Sequence, residues 1–438
     1  MVSDIRVTID KLAFGGNGVC RIAGKVCFVP FSCPGDEVRL AITSDKRSYL
    51  LARIVELITP SPLRTTPPCP IFGTCGGCAW QHVSYAQQLA AKQQILAETL
   101  WRGARVAAGC VTSTRPSPQQ YGYRSRVQFK LHGSGNNLKI GFYRTGTHLV
   151  EDAAEGCPVA LPLINGALGA LRSVLKSFSD VRSISQISID CAEQGVIAVI
   201  TYTGRDTAAV AAFFREQREA LLPLTGLFLQ SDRKSGLHKV YGDDLLTYCL
   251  PDLSSKMETC RLSYQSGGFA QINREQNAAM LEIVKRFGNF NGTEHVLDLY
   301  CGNGNFSLPI ARLVSQVTGI EEYAGSIAAA QDNCTKNGIT NAAFICADAV
   351  VATRRLAGSG QRFDTVLLDP PRSGAVDAVP EICRLDPATI IYISCDPSTL
   401  ARDCGLLAGS GYSVKESVPV DMFPQTYHIE SVTLLQKQ

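Results

Sequence analysis

The alternation of short apolar runs with helical segments after residue 295 is the feature that most constrains the fold of this chain. Five runs are typical of buried strands: VLDLY, QVTGIE, AAFICAD, DTVLLD and TIIYIS. Helical patterns lie between them at residues 307–315, 324–337 and 398–408. Strands that alternate with helices pair in parallel and are covered by helices on both faces. The sequence therefore predicts an α/β fold for the C-terminal part of the chain.

Two further domains are predicted before this region. The N-terminal strand-like runs, separated by Gly and Asp turn signals, indicate a small β-barrel. The stretch TPSPLRTTPPCP predicts a linker, because proline removes backbone donors and biases its neighbours to extended conformations. A mixed α+β region follows it. We expect domains at residues 1–58 for the barrel, 69–255 for the central region and 256–438 for the α/β fold.

Composition limits the cellular setting. No apolar run approaches the roughly eighteen residues of a membrane span, and MVSDIRVTID lacks the apolar core of a signal peptide. The chain has 17 cysteines, an odd number, and it is not a small secreted domain. A disulfide framework is therefore a poorer interpretation than metal binding, catalysis or burial. We expect a cytoplasmic protein without a membrane partner.

Positive charge is concentrated in residues 61–150. The segment contains one acidic residue, Glu98, although the whole chain carries only +3. Its ten basic residues are Arg64, Lys92, Arg102, Arg105, Arg115, Arg124, Arg126, Lys130, Lys139 and Arg144. Its aromatic residues include Tyr121, Tyr123, Phe129, Phe142 and Tyr143. Cations meet phosphates and aromatic faces stack on bases, so the segment predicts an RNA-binding surface, with a merely solvated surface as the alternative. Arg124, Arg126 and Lys130 are the predicted contacts.

A glycine-bearing turn follows the first strand of the α/β region, in VLDLYCGNGNFSLPIA. Gly302 and Gly304 would let the backbone approach a ligand at the carboxyl end of that strand. A dinucleotide fingerprint requires a third glycine at the position of Ser307. The sequence therefore disfavours NAD.

Three acidic residues accompany the glycine turn. Asp298 lies in the first strand, Glu321 ends the second, and Asp348 follows the third. Carboxylates at these places suit ribose hydroxyl groups, and the set looks like the S-adenosylmethionine site of class I methyltransferases. The alternative is that Asp298 and Asp348 only cap helices.

The stretch YISCDPSTLAR places Cys395 between the fifth strand and a helix. Carbon 5 of uracil takes a methyl group only after a nucleophile has added at carbon 6, and a thiolate does this well. A position just before a helix N-terminus is expected to lower the pKa of the thiol. The methylated intermediate then needs a general base, for which Glu430 in FPQTYHIES is the candidate. Amino-group methylation is disfavoured because Arg372 follows the DPP triplet, where an aromatic residue is expected.

These motifs, SCDPSTL and FPQTYHIES, resemble those of the RNA uracil-5 methyltransferases. Within them the chain is similar, over nearly its whole length, to the type that has a TRAM domain and a [4Fe-4S] cluster and modifies 23S rRNA. The resemblance implies Cys395 as nucleophile and Glu430 as base. It implies a Rossmann-like class I methyltransferase domain and an OB-like TRAM barrel. With Gly302 of the glycine turn, the implied methyl-donor contacts are Gln271, Tyr300, Asn305, Glu321, Asp348 and Asp369.

Small departures accompany the resemblance. Tyr300 stands where phenylalanine is common, and Pro371 where some members have alanine. Neither change removes a reacting group. Phe269, in the GGFAQIN stretch, is predicted as a further RNA contact.

A cysteine group begins the central region. Cys69, Cys75 and Cys78 lie in CPIFGTCGGC, and Cys157 in EGCPV is the candidate for a fourth ligand. Spacing alone leaves tetrahedral zinc and an iron–sulfur cluster open. The resemblance implies [4Fe-4S] in a structural role, held by the central domain.

Two functional alternatives stay open. The chain could methylate the T-loop uridine of tRNA, or it could be a non-catalytic RNA-binding or ribosome assembly factor. The barrel, with eight basic and six acidic residues in its first 60 positions, would bind RNA weakly by itself. We expect a monomer.

Overall fold

The computed structural model describes residues 5–232, 236–254 and 259–438. The predicted boundary between residues 255 and 256 lies outside the described residues. The N-terminal strands are β1 Ile5–Thr8, β2 Lys11–Leu12, β3 Gly18–Ile22, β4 Lys25–Val29, β5 Glu37–Asp45 and β6 Tyr49–Thr59. They form one sheet in the order β1-β5-β6-β4-β3-β2.

The N-terminal sheet buries one face, because its side chains alternate between core and solvent. Its core consists of Ile9, Cys20, Cys27, Val29, Val38, Leu40, Leu50 and Ala52. The β3–β4 hairpin turns at Ala23 and Gly24, both with positive φ, as a tight two-residue turn between right-twisted strands requires. Cys20 and Cys27 face each other across this hairpin and are buried.

The central region contains one long helix, a seven-stranded sheet with two helices, and a hairpin. Its helices are α1 Tyr85–Ala104, α2 Pro162–Leu175 and α3 Thr207–Glu216. Its sheet strands are β7 Arg126–His132, β8 Lys139–Tyr143, β9 Val150–Asp152, β10 Ile184–Ala192, β11 Gly195–Tyr202, β12 Leu224–Gln230 and β13 His238–Tyr241. The sheet order is β13-β12-β11-β10-β7-β8-β9, and the hairpin comprises β14 Leu245–Pro251 and β15 Thr259–Gln265.

The C-terminal region is the predicted α/β fold. Its helices are α4 Arg274–Gly288, α5 Ser307–Ala311, α6 Ala324–Lys336, α7 Ala349–Gly358, α8 Val379–Leu385 and α9 Pro397–Gly409. Its strands are β16 His295–Leu299, β17 Gln316–Glu321, β18 Ala342–Cys346, β19 Thr365–Leu368, β20 Thr389–Ser394, β21 Tyr412–Val420 and β22 Glu430–Lys437. The order is β18-β17-β16-β19-β20-β22-β21, in which β16 to β20 are parallel and β22 is antiparallel to both of its neighbours.

This order positions a ligand site. The strand order reverses direction between β16 and β19, and ligands bind at the carboxyl ends of parallel strands beside such a reversal. The strands β16, β19 and β20 are almost entirely buried, which explains why their sequences are continuous apolar runs. The prediction of an α/β fold with a parallel sheet is confirmed. The predicted helix at 307–315 is shorter, since α5 ends at Ala311.

The helix α1 joins the C-terminal region although it lies far away in sequence. A Cβ atom added to Gly103 would lie 2.7 Å from the Cβ atom of Ala401, so α1 and α9 approach closely at this glycine. Leu96 and Leu100 of α1 share a core with Leu400 of α9. Within the residues described, no helix has the length and apolar character needed to cross a membrane.

Candidate active site

The thiol of Cys395 and the carboxyl group of Glu430 lie at the same edge of the C-terminal sheet. Ser394, the last residue of β20, is paired with Ser431 of β22. Cys395 and Glu430 are the next residues outward on these antiparallel strands, so they stand opposite each other. Their charges interact, because ionised Glu430 raises the pKa of the Cys395 thiol. The structure thus brings the two predicted reacting residues together.

The expectation that the helix N-terminus lowers the pKa of Cys395 is wrong for the ligand-free protein. The pKa is raised to about 11, by burial first and then by the charges of Glu430 and Asp369. Asp396 is the N-cap of α9 and accepts hydrogen bonds from the backbone N–H groups of Ser398 (2.8 Å) and Thr399 (3.1 Å). The first-turn donors that would have favoured a thiolate are therefore already used.

Three carboxyl groups at this edge have raised pKa values. Burial raises the pKa of Asp298 to about 7, with contributions from the charges of Asp369 and Glu321. Burial also raises the pKa of Asp369 to about 7. Glu430 is 4% exposed, and burial together with Asp369 raises its pKa well above the usual value for glutamate. Asp298 and Asp369, with pKa values of about 7, can exchange protons near neutral pH, as general acid–base chemistry requires.

Arg372 supplies the opposing charge. Its guanidinium lowers the pKa of both Cys395 and Glu430, and it also lowers the pKa of His428. We gave this residue no catalytic role from the sequence. Its position directly after the DPP triplet, where it replaces the expected aromatic side chain, is the sequence signal that could have identified it.

The glycine turn after β16 has the backbone shape of a ligand cradle. Tyr300, Gly302 and Gly304 all have positive φ, at 65°, 57° and 89°. No atom lies within 4 Å of a Cβ added to Gly302, so the space beside it is open. Glu321 accepts hydrogen bonds from the backbone N–H groups of Gly302 (3.2 Å) and Tyr323 (2.9 Å), which fixes its carboxylate at the end of β17.

The acidic residues of this edge fit a nucleoside ligand unequally. Asp298 accepts hydrogen bonds from the hydroxyl and the backbone N–H of Ser307, the first residue of α5, while its buried Oδ1 has no protein partner. An orphaned buried carboxylate oxygen beside an open cradle fits a ligand that donates hydrogen bonds. Asp348 does cap α7, accepting a hydrogen bond from the N–H of Val351 at 2.9 Å. The capping alternative therefore describes Asp348, and it describes Asp298 only in part, because one carboxylate oxygen of Asp298 has no protein partner.

Two further predicted contacts of the methyl donor lie here, Gln271 from the segment before α4 and Asn305 at the end of the glycine turn. The amide of Gln271 donates to Asp369 at 3.5 Å. Asn305 exchanges two amide hydrogen bonds with Asn277, at 2.8 and 2.9 Å, and accepts one from Tyr248. The assignment of both residues to the methyl-donor site stays a prediction.

The four predicted metal ligands line one cavity of about 460 Å³, namely Cys69, Cys75, Cys78 and Cys157. The pKa is raised to about 11 for Cys75 and to about 12 for Cys78, by burial first and in smaller part by the charges of neighbouring thiolates. Four thiols around one cavity fit a centre with thiolate ligands. Within the described residues, however, no group of three or more His, Cys, Asp or Glu side chains is arranged to hold a metal ion.

Comparison with known proteins identifies the family. The family model described as tRNA (Uracil-5-)-methyltransferase matches residues 84–438, and the TRAM domain model of tRNA (uracil(54)-C(5))-methyltransferase matches residues 5–63. The chain belongs to the tRNA (uracil-5-)-methyltransferase family. The predicted family, the TRAM domain, the S-adenosylmethionine donor and the RNA uracil-5 methyltransferase activity are confirmed.

Individual relatives cover the chain almost completely. The 23S rRNA (uracil(1939)-C(5))-methyltransferase RlmD of Mannheimia succiniciproducens is 33% identical over 439 residues, covering 99% of this chain and 96% of the relative. The protein of the same name from Haemophilus parainfluenzae is 34% identical over 98% of this chain and 95% of the relative. Pyrococcus abyssi tRNA (uracil-54, C5)-methyltransferase, solved with S-adenosyl-L-homocysteine, has the same fold. Its TM-score is 0.76 at 24% identity, with 99% of this chain and 100% of that chain covered.

The predicted RNA contacts of this uracil-5 methyltransferase have different surroundings. Phe269 is 67% exposed. The ammonium of Lys130 lies 5.6 Å from the ring centre of Tyr143. Arg126 forms an ion pair with buried Asp190, and Arg124 and Arg126 both line the cysteine cavity.

Two aromatic residues of the basic segment belong to the interior. Phe129 is fully buried in the core of the central sheet, and Tyr123 is buried with its hydroxyl donating to the carbonyl of Pro424 at 3.0 Å. The expectation that these rings offer faces to bases is therefore wrong. Tyr143, at the end of β8, keeps an exposed ring.

Proposed function

We propose that this methyltransferase acts on a flipped-out uridine of 23S rRNA, with Cys395 as nucleophile and Glu430 as base. The observation that carries the mechanism is the opposition of these two side chains across the end of the β20–β22 pair. The names of the full-length relatives support ribosomal RNA as the substrate. Base extrusion costs a few kcal/mol, least for a base in a loop, which favours an RNA loop as the target.

The chemistry assigns one task to each side chain. The Cys395 thiolate adds to carbon 6 of the uracil, and the ring electrons make carbon 5 nucleophilic. When bound, S-adenosylmethionine supplies the electrophilic methyl group. Glu430 then accepts the proton from carbon 5, the C5–H electron pair re-forms the C5=C6 bond, and the C6–S bond breaks to release the thiolate.

We further propose that the donor site is formed by residues at the carboxyl edge of the sheet. They are Gln271, Tyr300, Gly302, Asn305, Glu321, Asp348 and Asp369. Supporting this, the strands that precede Tyr300, Asp348 and Asp369 end at one edge. The RNA contacts are proposed as Arg124, Arg126, Lys130 and Phe269. Isothermal titration with S-adenosylhomocysteine and with an RNA loop would test the two sets separately.

We also propose that Cys69, Cys75, Cys78 and Cys157 hold a [4Fe-4S] cluster with a structural role. The resemblance of the chain and the shared cavity support it, and zinc is the competing occupant of the same four thiols. Iron, sulfide and zinc analysis of anaerobically purified protein distinguishes the two. One zinc and no sulfide per chain would refute the cluster.

The domain division at 1–58, 69–255 and 256–438, a monomeric state and a cytoplasmic location complete the proposal. Limited proteolysis followed by mass spectrometry tests the domain division. Sedimentation analysis tests the monomeric state, and cell fractionation tests the location.

Mapping of 5-methyluridine tests the substrate. Cells that lack this protein should lose one or more 5-methyluridines in 23S rRNA while the tRNA T-loop stays methylated. Loss in tRNA alone would support the tRNA alternative. Unchanged modification in both, together with no methyl transfer to bulk RNA in vitro, would support the non-catalytic assembly factor.

Trapping tests the mechanism. RNA that contains 5-fluorouridine should become covalently bonded to Cys395 in the presence of the donor, because fluorine at carbon 5 cannot leave as a proton. Cys395→Ala should form no adduct and should still bind RNA. Glu430→Gln should accumulate the methylated adduct with ordinary RNA, and if methylation stops without an adduct, Glu430 has another role.

A further inference from the structure

The segment 421–429, which joins β21 to β22 and leads directly into Glu430, contains a strained residue. Gln425 has φ +69°, in the left-handed region that side-chain-bearing residues rarely adopt, and it is 2% exposed. Such a conformation persists only where the surroundings determine it, and it is typical of functional sites.

Gln425 is held by a segment more than 330 residues earlier in the chain. Its backbone N–H donates to Oε1 of Gln88 at 3.1 Å, and Nε2 of Gln88 donates to its side-chain Oε1 at 3.0 Å. Its backbone carbonyl accepts from the N–H groups of Ala79 (3.1 Å) and Trp80 (3.0 Å). Both the backbone groups and the side-chain oxygen of Gln425 are thus fixed from outside the loop.

Gln88 lies on the buried face of α1 and is 1% exposed. Its amide also lies within hydrogen-bonding distance of the carbonyls of Trp80 (3.1 Å) and Val83 (2.9 Å). One side chain therefore ties the start of α1 to the loop before Glu430.

Further contacts fix the same loop on either side of Gln425. One turn along α1, Lys92 donates to Asp421 (2.5 Å) and to the carbonyl of Phe423 (3.1 Å). From the turn between β2 and β3, the ring of Phe14 packs edge-on against Tyr427, with ring centres 5.8 Å apart. These contacts fix the loop before and after Gln425, and the strained backbone conformation of Gln425 lies between them.

We propose that Gln88 is a positioning residue for the base: by holding Gln425 in the left-handed conformation, it places the carboxylate of Glu430 for removal of the proton from carbon 5. The inference rests on the proposed function. Without the hydrogen bonds from Gln88, Gln425 relaxes toward negative φ and the carboxylate of Glu430 moves. The addition of Cys395 and methyl transfer precede the proton removal. Because ionised Glu430 raises the pKa of Cys395, a displaced Glu430 would leave the addition as fast as before or faster. Loss of the hydrogen bonds from Gln88 should therefore slow only the last step.

The test is Gln88→Met, which keeps the volume of the side chain and removes its hydrogen bonds. Gln94→Met is the matched control, because Gln94 lies on the exposed face of the same helix. Single-turnover reactions with ordinary RNA are quenched in denaturant, and the covalent methylated adduct is separated from free methylated RNA. We expect resolution of the adduct to slow about tenfold to a hundredfold in Gln88→Met, as for a small misplacement of a reacting group, with RNA affinity unchanged.

Gln425→Gly is the second variant. Glycine adopts φ +69° without strain, so it keeps this conformation without the hydrogen bonds from Gln88. Gln425→Gly alone should resolve the adduct at close to the wild-type rate, and combined with Gln88→Met it should restore most of the resolution that Gln88→Met loses. Wild-type resolution in folded Gln88→Met, slow resolution in the folded double variant, or an equal slowing of adduct formation and resolution would overturn the proposal. If Glu430→Gln itself gives no adduct, the assignment of the base fails instead, and the two failures are thereby distinguished.

Discussion

The charges around Cys395 predict opposite effects of two neutralising substitutions on its reactivity. Glu430 raises the pKa of the thiol, and Arg372 lowers it. Glu430→Gln should therefore lower the pKa of Cys395, and Arg372→Gln should raise it. Both variants receive the same new side chain, so the comparison isolates the sign of the charge removed.

The expected change in the thiolate fraction of Cys395 follows from its raised pKa. The pKa of Cys395 stands at about 11 against an ordinary 9.0, so at pH 8 about one molecule in a thousand is a thiolate instead of about one in ten. Burial is the largest cause and survives the substitution. A hundredfold gain in thiolate is thus the upper bound for Glu430→Gln, and a several-fold gain is expected.

Alkylation by iodoacetamide measures the thiolate. The rate at Cys395 is followed by mass spectrometry of its peptide from pH 7 to 10, because the effect of Glu430 requires its carboxylate to be charged. The exposed thiol of Cys346 serves as the internal reference. A profile for Glu430→Gln that coincides with wild type at every pH, or shifts of the same sign in both variants, would refute the electrostatic account.

Three further predictions concern stability and binding. Lys92→Met should lower the free energy of unfolding by about 3–5 kcal/mol in urea titrations, because it removes the ionic partner of Asp421 in a fully buried site. Replacing Asp421 by leucine as well should restore much of the lost free energy. Asp298 has a folded-state pKa of about 7 against 3.8, so the folded state keeps a proton that the unfolded state has lost, and stability falls as pH rises from about 4 to 7. Asp298→Asn should flatten the pH dependence of Tm in donor-free protein and gain up to about 4 kcal/mol above pH 7. Phe269→Ala should weaken RNA binding by about 5- to 150-fold in filter-binding assays without changing Tm, since its exposed ring supplies stacking and little core packing.

The sheet could be predicted because its information is local. Each of β16 to β20 is a short apolar run between helical patterns, and parallel strands place their carboxyl ends at one edge. That rule predicts that residues after these strands, such as Glu321, lie at one edge, whereas Tyr300 and Asp369 were assigned to the methyl donor by the family resemblance. The insertion of antiparallel β22 between β20 and β21 follows no comparable rule, although it is what sets Glu430 opposite Cys395.

The electrostatics of the site could not be predicted from local sequence. The dipole of α9 suggested a lowered thiol pKa, but the structure shows Asp396 using the helix donors and burial dominating the shift. Both effects depend on what surrounds the thiol in space. Likewise Lys92 counted as a surface cation in the basic segment, whereas it is fully buried against Asp421.

The segment 421–429, which leads into the proposed general base Glu430, shows why the catalytic unit is larger than the sheet that carries its reacting groups. Asp421 and Gln425 belong to the last 20 residues, yet Lys92 and Gln88 of α1 hold them, and Phe14 of the β2–β3 turn packs on Tyr427. A C-terminal fragment that began after the central region would keep every strand from β16 to β22 and lose these three supports. Among the contacts described, the hydrogen bonds that reach Gln425 from outside its own loop all come from residues 79–88. These bonds stabilise its left-handed conformation. Although α1 lies within the proposed central domain, it therefore supports the segment that leads to Glu430, and the family match begins at residue 84, next to the start of this helix.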